Sequence, residues 1–240
     1  YTALVRQHAS RADCIVVPSE YTRQQVQDFL EIRDDHLVVC PLGTMPSLPR
    51  REQPEKGPIL FIGTLEARKN IDGLLDAYTL LLDRFENAPD LILVGRPTSD
   101  TGKWAPRLLV EPLRGRVQLM GYVTTETREV LLKQARMLVL PSFDEGFGLP
   151  ILEAMSVGVP IVASNRGAIP EILGDAGLLV DPADSQALFS AIQKTLSDSE
   201  HVRTAVTRGL ARASHYSWQR SARILRNTYV RAIENRRFKL

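Results

Sequence analysis

Residues Pro141–Ser164 read PSFDEGFGLPILEAMSVGVPIVAS, and this stretch decides the fold. An apolar run ends at Pro141, a loop carries Asp144, Glu145, Gly146 and Gly148, and a helix opens near Pro150. Proline suits the first turn of a helix, where its missing N–H would have had no partner. The helix stops at Gly158, and Pro160 begins the next strand. Glycines on a loop that enters a helix leave backbone N–H groups free for an anion, and the helix dipole adds to the attraction. Glu153 falls about one turn into the helix, so it can face the same ligand as Glu145. Carboxylates beside an anion site are costly unless hydroxyls donate to them. Two of them there suggest a ligand carrying both sugar hydroxyls and phosphate. Taken singly, Glu145 reads as a loop residue and Glu153 as an exposed helical one. The Gly-x-Gly is weak as a dinucleotide fingerprint, because Ile151 stands where the third glycine belongs.

Outward from this stretch, short apolar runs rich in β-branched residues alternate with helical patterns. The runs are Cys14–Val17, Leu37–Cys40, Ile59–Gly63, Leu91–Gly95, Val117–Gly121, Met137–Pro141, Pro160–Ser164 and Leu178–Val180. Runs without polar alternation suit strands buried on both faces, as in a parallel sheet covered by helices. The clearest helix puts Ile71, Leu74, Leu75, Tyr78, Leu81, Leu82 and Phe85 on one face, with Asn70 as N-cap. The alternation predicts a doubly wound α/β fold whose ligand sits beyond the C-terminal ends of its strands. Pro41–Pro58 holds five prolines and two glycines, so it reads as a linker. Only two strands precede it, too few to close a core, and six follow.

A second basic site backs the first. After Ile59–Gly63 comes TLEARKN, which sets Arg68 and Lys69 in the loop ahead of the Asn70 helix. Arg binds phosphate as a fork and Lys as a point charge. Alone, such a pair usually faces solvent. Here both loops open on the same edge of the sheet.

The 240 residues are 44% hydrophobic and 24% charged, which excludes disorder, collagen and coiled coil as descriptions of the whole. No apolar run approaches the roughly 18–20 residues of a membrane-spanning helix. The opening YTALVRQHASRAD lacks the apolar core of a secretory signal. Cys14 and Cys40 are too few for a disulfide framework and lack metal-ligand spacing, so a cytoplasmic location is expected. From Tyr216 to Leu240, seven Arg or Lys residues stand against one Glu. Such a basic helix could attract a membrane surface, which would be the inner face, though a solvated helix face explains it more simply. No nucleic-acid partner is expected.

In motif order the chain resembles glycosyltransferase family 4, retaining enzymes of GT-B fold. FIGTLEARKNIDGLLDAY resembles the first C-domain strand, phosphate loop and helix of that family. LILVGRP, VQLMGYV and ARMLVLPSFDEGFGLPILEAMSVGVPIVASNRGAIPEILGDAGLLVDP follow in family order, and Glu145 to Glu153 reproduces its Glu-x7-Glu spacing. The resemblance implies that 1–44 ends the N-terminal acceptor domain and hinge, 45–58 is the linker, 59–215 binds the nucleotide-sugar in a Rossmann-like domain, and 216–240 is a cross-over helix. It implies that Glu145 meets hydroxyls of the transferred sugar and Glu153 those of the ribose. Gly146, Phe147, Gly148 and Leu149 offer backbone to sugar and phosphate, while Arg68 and Lys69 stabilise the diphosphate, beside Gly63 and Thr64. Thr64 stands where many relatives have arginine, so that contact is lost. Tyr122, Val123, Gly95 and Arg96 line the base pocket.

There is no Asp-x-Asp, which fits an enzyme with no metal and no cofactor besides its donor substrate. FIGTLEARKN and SNRGAIPEI look most like mannosyltransferases using GDP-mannose, in synthesis of a surface polysaccharide or glycolipid. None of His8, His36, His201 and His215 lies in a motif like that of the acceptor-domain histidine. The expectation is therefore half an enzyme, inactive alone, whose saccharide or lipid-linked acceptor binds a missing domain and whose exposed surfaces self-associate. A non-catalytic nucleotide-sugar-binding module is the rival reading; a GT-B epimerase or phosphorylase and a nicotinamide dehydrogenase fit less well.

Overall fold

The computed structural model describes residues 2–44 and 47–237. The linker reading at Met45 and Pro46 and the basic side chains counted at Arg236, Arg237 and Lys239 lie outside what is described. The chain opens with α1 (Thr2–Arg11), β1 (Ile15–Val17), α2 (Glu20–Leu30) and β2 (Leu37–Val39). After the proline-rich segment come β3 (Ile59–Ile62), α3 (Ile71–Arg84), β4 (Leu91–Val94) and the one-turn α4 (Thr101–Trp104). Next are β5 (Val117–Gly121), α5 (Thr125–Gln134), β6 (Met137–Leu140), α6 (Leu149–Val157) and β7 (Ile161–Ser164). The chain closes with α7 (Ile169–Leu173), β8 (Leu178–Val180), α8 (Ser185–Ser197), α9 (Ser199–Ala213) and α10 (Trp218–Arg237).

Six of the strands form one all-parallel sheet in the order β5-β4-β3-β6-β7-β8. The chain winds outward from β3 through β4 to β5, then returns to the middle and winds the other way from β6. Strand order therefore reverses between β3 and β6, and the crevice for a ligand opens beyond their C-terminal ends. Those strands are the driest in the molecule: every residue of β3, β6 and β7 is buried. Layers of helix supply the cover, α3 with α8 and α6 with α9. Asn70 caps α3 by accepting from the Gly73 N–H, and its amide donates to the Pro182 carbonyl at 2.7 Å. Leu74, Leu75 and Leu81 of α3 are wholly buried, each worth about 1.5–3 kcal/mol.

The other two strands, β1 and β2, pair in parallel as a separate ribbon. Its packing is thin, with Val17, Leu37 and Cys40 the buried apolar residues. Helix α10 lies against it: Ser221 Oγ donates to the Pro41 carbonyl at 2.5 Å, and Thr44 bridges to Ser217. The face of α10 turned to the chain carries Ser221 and Thr228, which are buried, while Trp218, Tyr229 and Ile233 are exposed. Val16 and Phe29 add to this uncovered apolar surface.

Candidate functional site

The loop after β3 delivers two cations to the strand-order reversal. A 3-10 turn over Ala67–Lys69 folds the loop so that Arg68 stays exposed while Lys69 is buried. The Arg68 carbonyl accepts from Phe143 N–H at 2.8 Å, which ties this loop to the one after β6. Arg68 Nη1 donates to the Asp144 carbonyl at 2.8 Å and lies 3.4 Å from Glu145 Oε2. Lys69 Nζ forms an ion pair with Glu145 Oε1, both side chains being almost out of solvent. Ser142 Oγ donates to the same oxygen at 2.8 Å. Glu145 is thus a buried carboxylate satisfied by two cations and a hydroxyl.

The loop after β6 is held from several sides. Gly167 backs directly onto Glu145: a Cβ there would stand 2.6 Å from its N and 2.7 Å from its O. Ala168 N–H donates to the Glu145 carbonyl at 2.8 Å. Gly148 takes the left-handed conformation (φ 90°) as the N-cap of α6, so no side chain caps that helix. Pro150 has no N–H, and the Ile151 and Leu152 N–H groups turn back to the Gly148 carbonyl, so the donor left at this N-terminus is the Leu149 N–H. Phe147 is buried edge-on against Tyr216, ring centroids 6.0 Å apart, so it has only backbone to offer. Gly146 is exposed and Leu149 half-buried.

Contacts from the first segment reach the same loop. Ser19 Oγ and Thr22 Oγ1 both donate to the Gly146 carbonyl, at 2.7 and 2.9 Å. The Tyr21 hydroxyl donates to Asp144 Oδ1 at 2.9 Å, and that bond raises the tyrosine pKa. Glu171 accepts from the N–H groups of Glu20 and Tyr21 at the start of α2.

Glu153 sits apart from this network. Its Oε1 pairs with Arg128 Nη2 at 2.9 Å, and its Oε2 is buried with no hydrogen-bond partner. Burial raises its pKa, and Arg128 opposes the rise. Around the rim, Gly63 and Gly95 are half-buried, while Thr64, Arg96 and Tyr122 are exposed and Val123 half-buried. Gly95 is required where it stands, since a Cβ would collide with the Gly63 carbonyl at 1.7 Å. Sequence reasoning passed over Ser142, Arg128 and the Ser19–Thr22 cap. Only the last had a signal, a serine placed to cap a helix.

Residues 56–198 match the family "Glycosyl transferases group 1". Among curated proteins, the chain is 42% identical over 223 residues to O-antigen chain mannosyltransferase B of Escherichia coli. It is 32% identical over 229 residues to MMP alpha-(1->4)-mannosyltransferase of Mycolicibacterium hassiacum. Each alignment takes in 92% of this chain, which spans only 58% and 54% of those proteins. Among solved structures, sucrose-phosphate synthase from Thermosynechococcus elongatus superposes with a TM-score of 0.84 at 26% identity, over 98% of this chain and 62% of that one. The chain belongs to the group 1 glycosyl transferases, and its six-stranded sheet is the Rossmann-like unit of their GT-B fold.

Proposed function

We propose that this chain is the donor-binding half of a retaining, metal-independent hexosyltransferase. It moves a sugar from a nucleotide-sugar, GDP-mannose in the reading favoured here, to a saccharide or lipid-linked acceptor in surface-polysaccharide or glycolipid synthesis. The observation that carries the reading is the meeting of Arg68, Lys69 and the uncapped start of α6 at the strand-order reversal, with Glu145 between the cations. The names of the two mannosyltransferase relatives support the choice of sugar. In this mechanism the bond between the anomeric carbon and phosphate breaks with its electron pair going to the phosphate oxygen. Arg68, Lys69 and the Leu149 N–H at the start of α6 stabilise that charge, each worth a few kcal/mol in comparable sites. The acceptor hydroxyl attacks from the face the diphosphate leaves, giving retention, and passes its proton to the departing oxygen. Glu145 holds hydroxyls of the sugar, and Glu153 those of the ribose. Gly146, Phe147, Gly148 and Leu149 offer backbone to sugar and phosphate. Tyr122, Val123, Gly95 and Arg96 frame the base. The acceptor belongs to a further domain, on the same polypeptide or another.

Calorimetry in a chelating buffer tests the reading. The chain is expected to bind GDP or UDP, and the matching nucleotide-sugar, without added metal. Strict dependence on magnesium or manganese overturns metal independence, and absence of binding under all conditions overturns the donor site. A non-catalytic donor-binding subunit is the second reading, favoured by the thin packing around β1 and β2. Slow hydrolysis of the bound donor separates it from an enzyme.

The exposed side chains of Val16, Phe29, Trp218, Tyr229 and Ile233 are also expected to make the isolated chain self-associate. Sedimentation velocity should show species growing with concentration, and a Trp218→Ser/Tyr229→Ser/Ile233→Ser variant should suppress them. A single monomeric boundary at every concentration refutes this.

A further inference from the structure

Arg128 and Glu153 line a cleft of about 80 Å³ between α5, α6 and the segment after β2, together with Thr44, Ser47, Thr125 and Ser156. One oxygen of Glu153 is fixed by Arg128 at 2.9 Å, and the other is buried without a donor. A buried acceptor without a partner is rare in folded proteins and marks a place where a donor from outside is expected. We propose that Arg128 is a positioning residue for donor binding: it grips Glu153 through Oε1 and leaves Oε2 to accept a ribose hydroxyl of a nucleoside diphosphate bound at the cleft. The inference rests on the donor-site reading above and adds a residue to it.

Arg128 also governs the charge of that acceptor. Burial favours protonation of Glu153, and the nearby guanidinium opposes it. Several charged groups on the neighbouring elements have partners of their own, among them Glu171 on α7, which accepts from the Glu20 and Tyr21 N–H groups. Glu129 on α5 is held by Lys133 and Ser47. On α9, which packs against α6, Arg208 pairs with Asp175, and Arg212 donates to the carbonyls of Glu171 and Ile172. Strands β6 and β7 bring no charged side chain to α6. Loss of Arg128 should therefore leave Glu153 buried and unopposed, protonated at a pH where the parent is ionised. A protonated carboxyl is the poorer acceptor, so the deficit is largest at low pH and fades as pH rises.

The test is GDP and UDP affinity by calorimetry at pH 6 and pH 8 for the parent, Arg128→Met, Arg128→Lys, Glu153→Gln and the Arg128→Met/Glu153→Gln double variant. Loss of one charge-assisted hydrogen bond predicts that Arg128→Met binds about tenfold more weakly at pH 6, with a smaller deficit at pH 8. Arg128→Lys should recover most of it. In the Glu153→Gln background, Arg128→Met should have the same effect at both pH values, because the titrating group is gone. This comparison also removes the titration of the nucleotide's own phosphate. A deficit that is equal at both pH values with Glu153 present, or a lowered melting point with no change in affinity, makes Arg128 a staple between helices and overturns the inference alone. A parent that binds neither nucleotide at either pH overturns the donor reading, and the inference falls with it.

Discussion

Lys69→Met is expected to cost the fold about 3–5 kcal/mol, since it leaves the Glu145 carboxylate buried without its closest cation. In a chain of this size that is a fall of about 6–20 °C in melting temperature. Lys69 and Glu145 side chains are 7% and 8% exposed, so water cannot take over the lost partner. Arg68, at 3.4 Å and half in solvent, can compensate only in part. Removing the charge on both sides should reverse most of the loss, because replacing a whole buried pair is far cheaper than breaking one. Ser142 Oγ can still donate to an amide oxygen in Glu145→Gln. Lys69→Met/Glu145→Gln should therefore melt near the parent while its affinity for a nucleoside diphosphate stays low. Urea unfolding and calorimetry on the same four proteins check both halves. A single variant as stable as the parent, or a double no better than the single, shows that the pair is not coupled.

Much of the fold was legible because the strands advertise themselves. Ile59–Ile62, Met137–Leu140 and Ile161–Ser164 are apolar without alternation, and only a sheet covered on both faces makes use of that pattern. The runs read from sequence overshoot at Gly63, Gly95, Pro141 and Pro160, where glycine or proline already belongs to the turn. Helix α4 is a single turn, too short to show a period, and went unseen.

The candidate site was legible in kind and not in arrangement. A lysine beside an arginine in a loop is usually solvated, yet Lys69 is buried because the 3-10 turn carries it under the β6 loop to Glu145. Glu145 and Glu153 share a spacing that suggested one ligand face, and the structure gives them different basic partners, Lys69 with Arg68 and Arg128. Arg128 could not be found from its surroundings. It lies in TETREVLLKQ, a sequence with the look of a solvated helix, and its partner comes 25 positions later. Ser19 caps α2, a local role that the serine signals and that the sequence reading passed over. Its second bond, to Gly146, spans 127 residues and leaves no local trace.

The two glutamates are expected to separate under substitution by their choice of ligand. Glu153→Gln should weaken a bare nucleoside diphosphate and the corresponding nucleotide-sugar by the same factor, because ribose is common to both. A lost charge-assisted hydrogen bond is worth about 1.5–3 kcal/mol, or roughly tenfold to more than a hundredfold in affinity. Glu145→Gln should weaken only the nucleotide-sugar, by a similar factor. Its effect on the bare nucleotide has the opposite tendency. In the free chain Glu145 neutralises Lys69 and holds Arg68, so it competes with a diphosphate for both cations. Cancelling its charge releases Lys69, while Arg68 keeps its closer pair with Glu66, and affinity for the diphosphate should stay level or rise. The sign of that change is the sharp part of the test, since simple damage to the site lowers affinity for every ligand. Titrations of both variants with GDP and GDP-mannose, and with UDP and UDP-glucose, supply the four comparisons. Parallel losses for both ligands in Glu145→Gln show that the carboxylate serves the diphosphate site as a whole and not the transferred sugar.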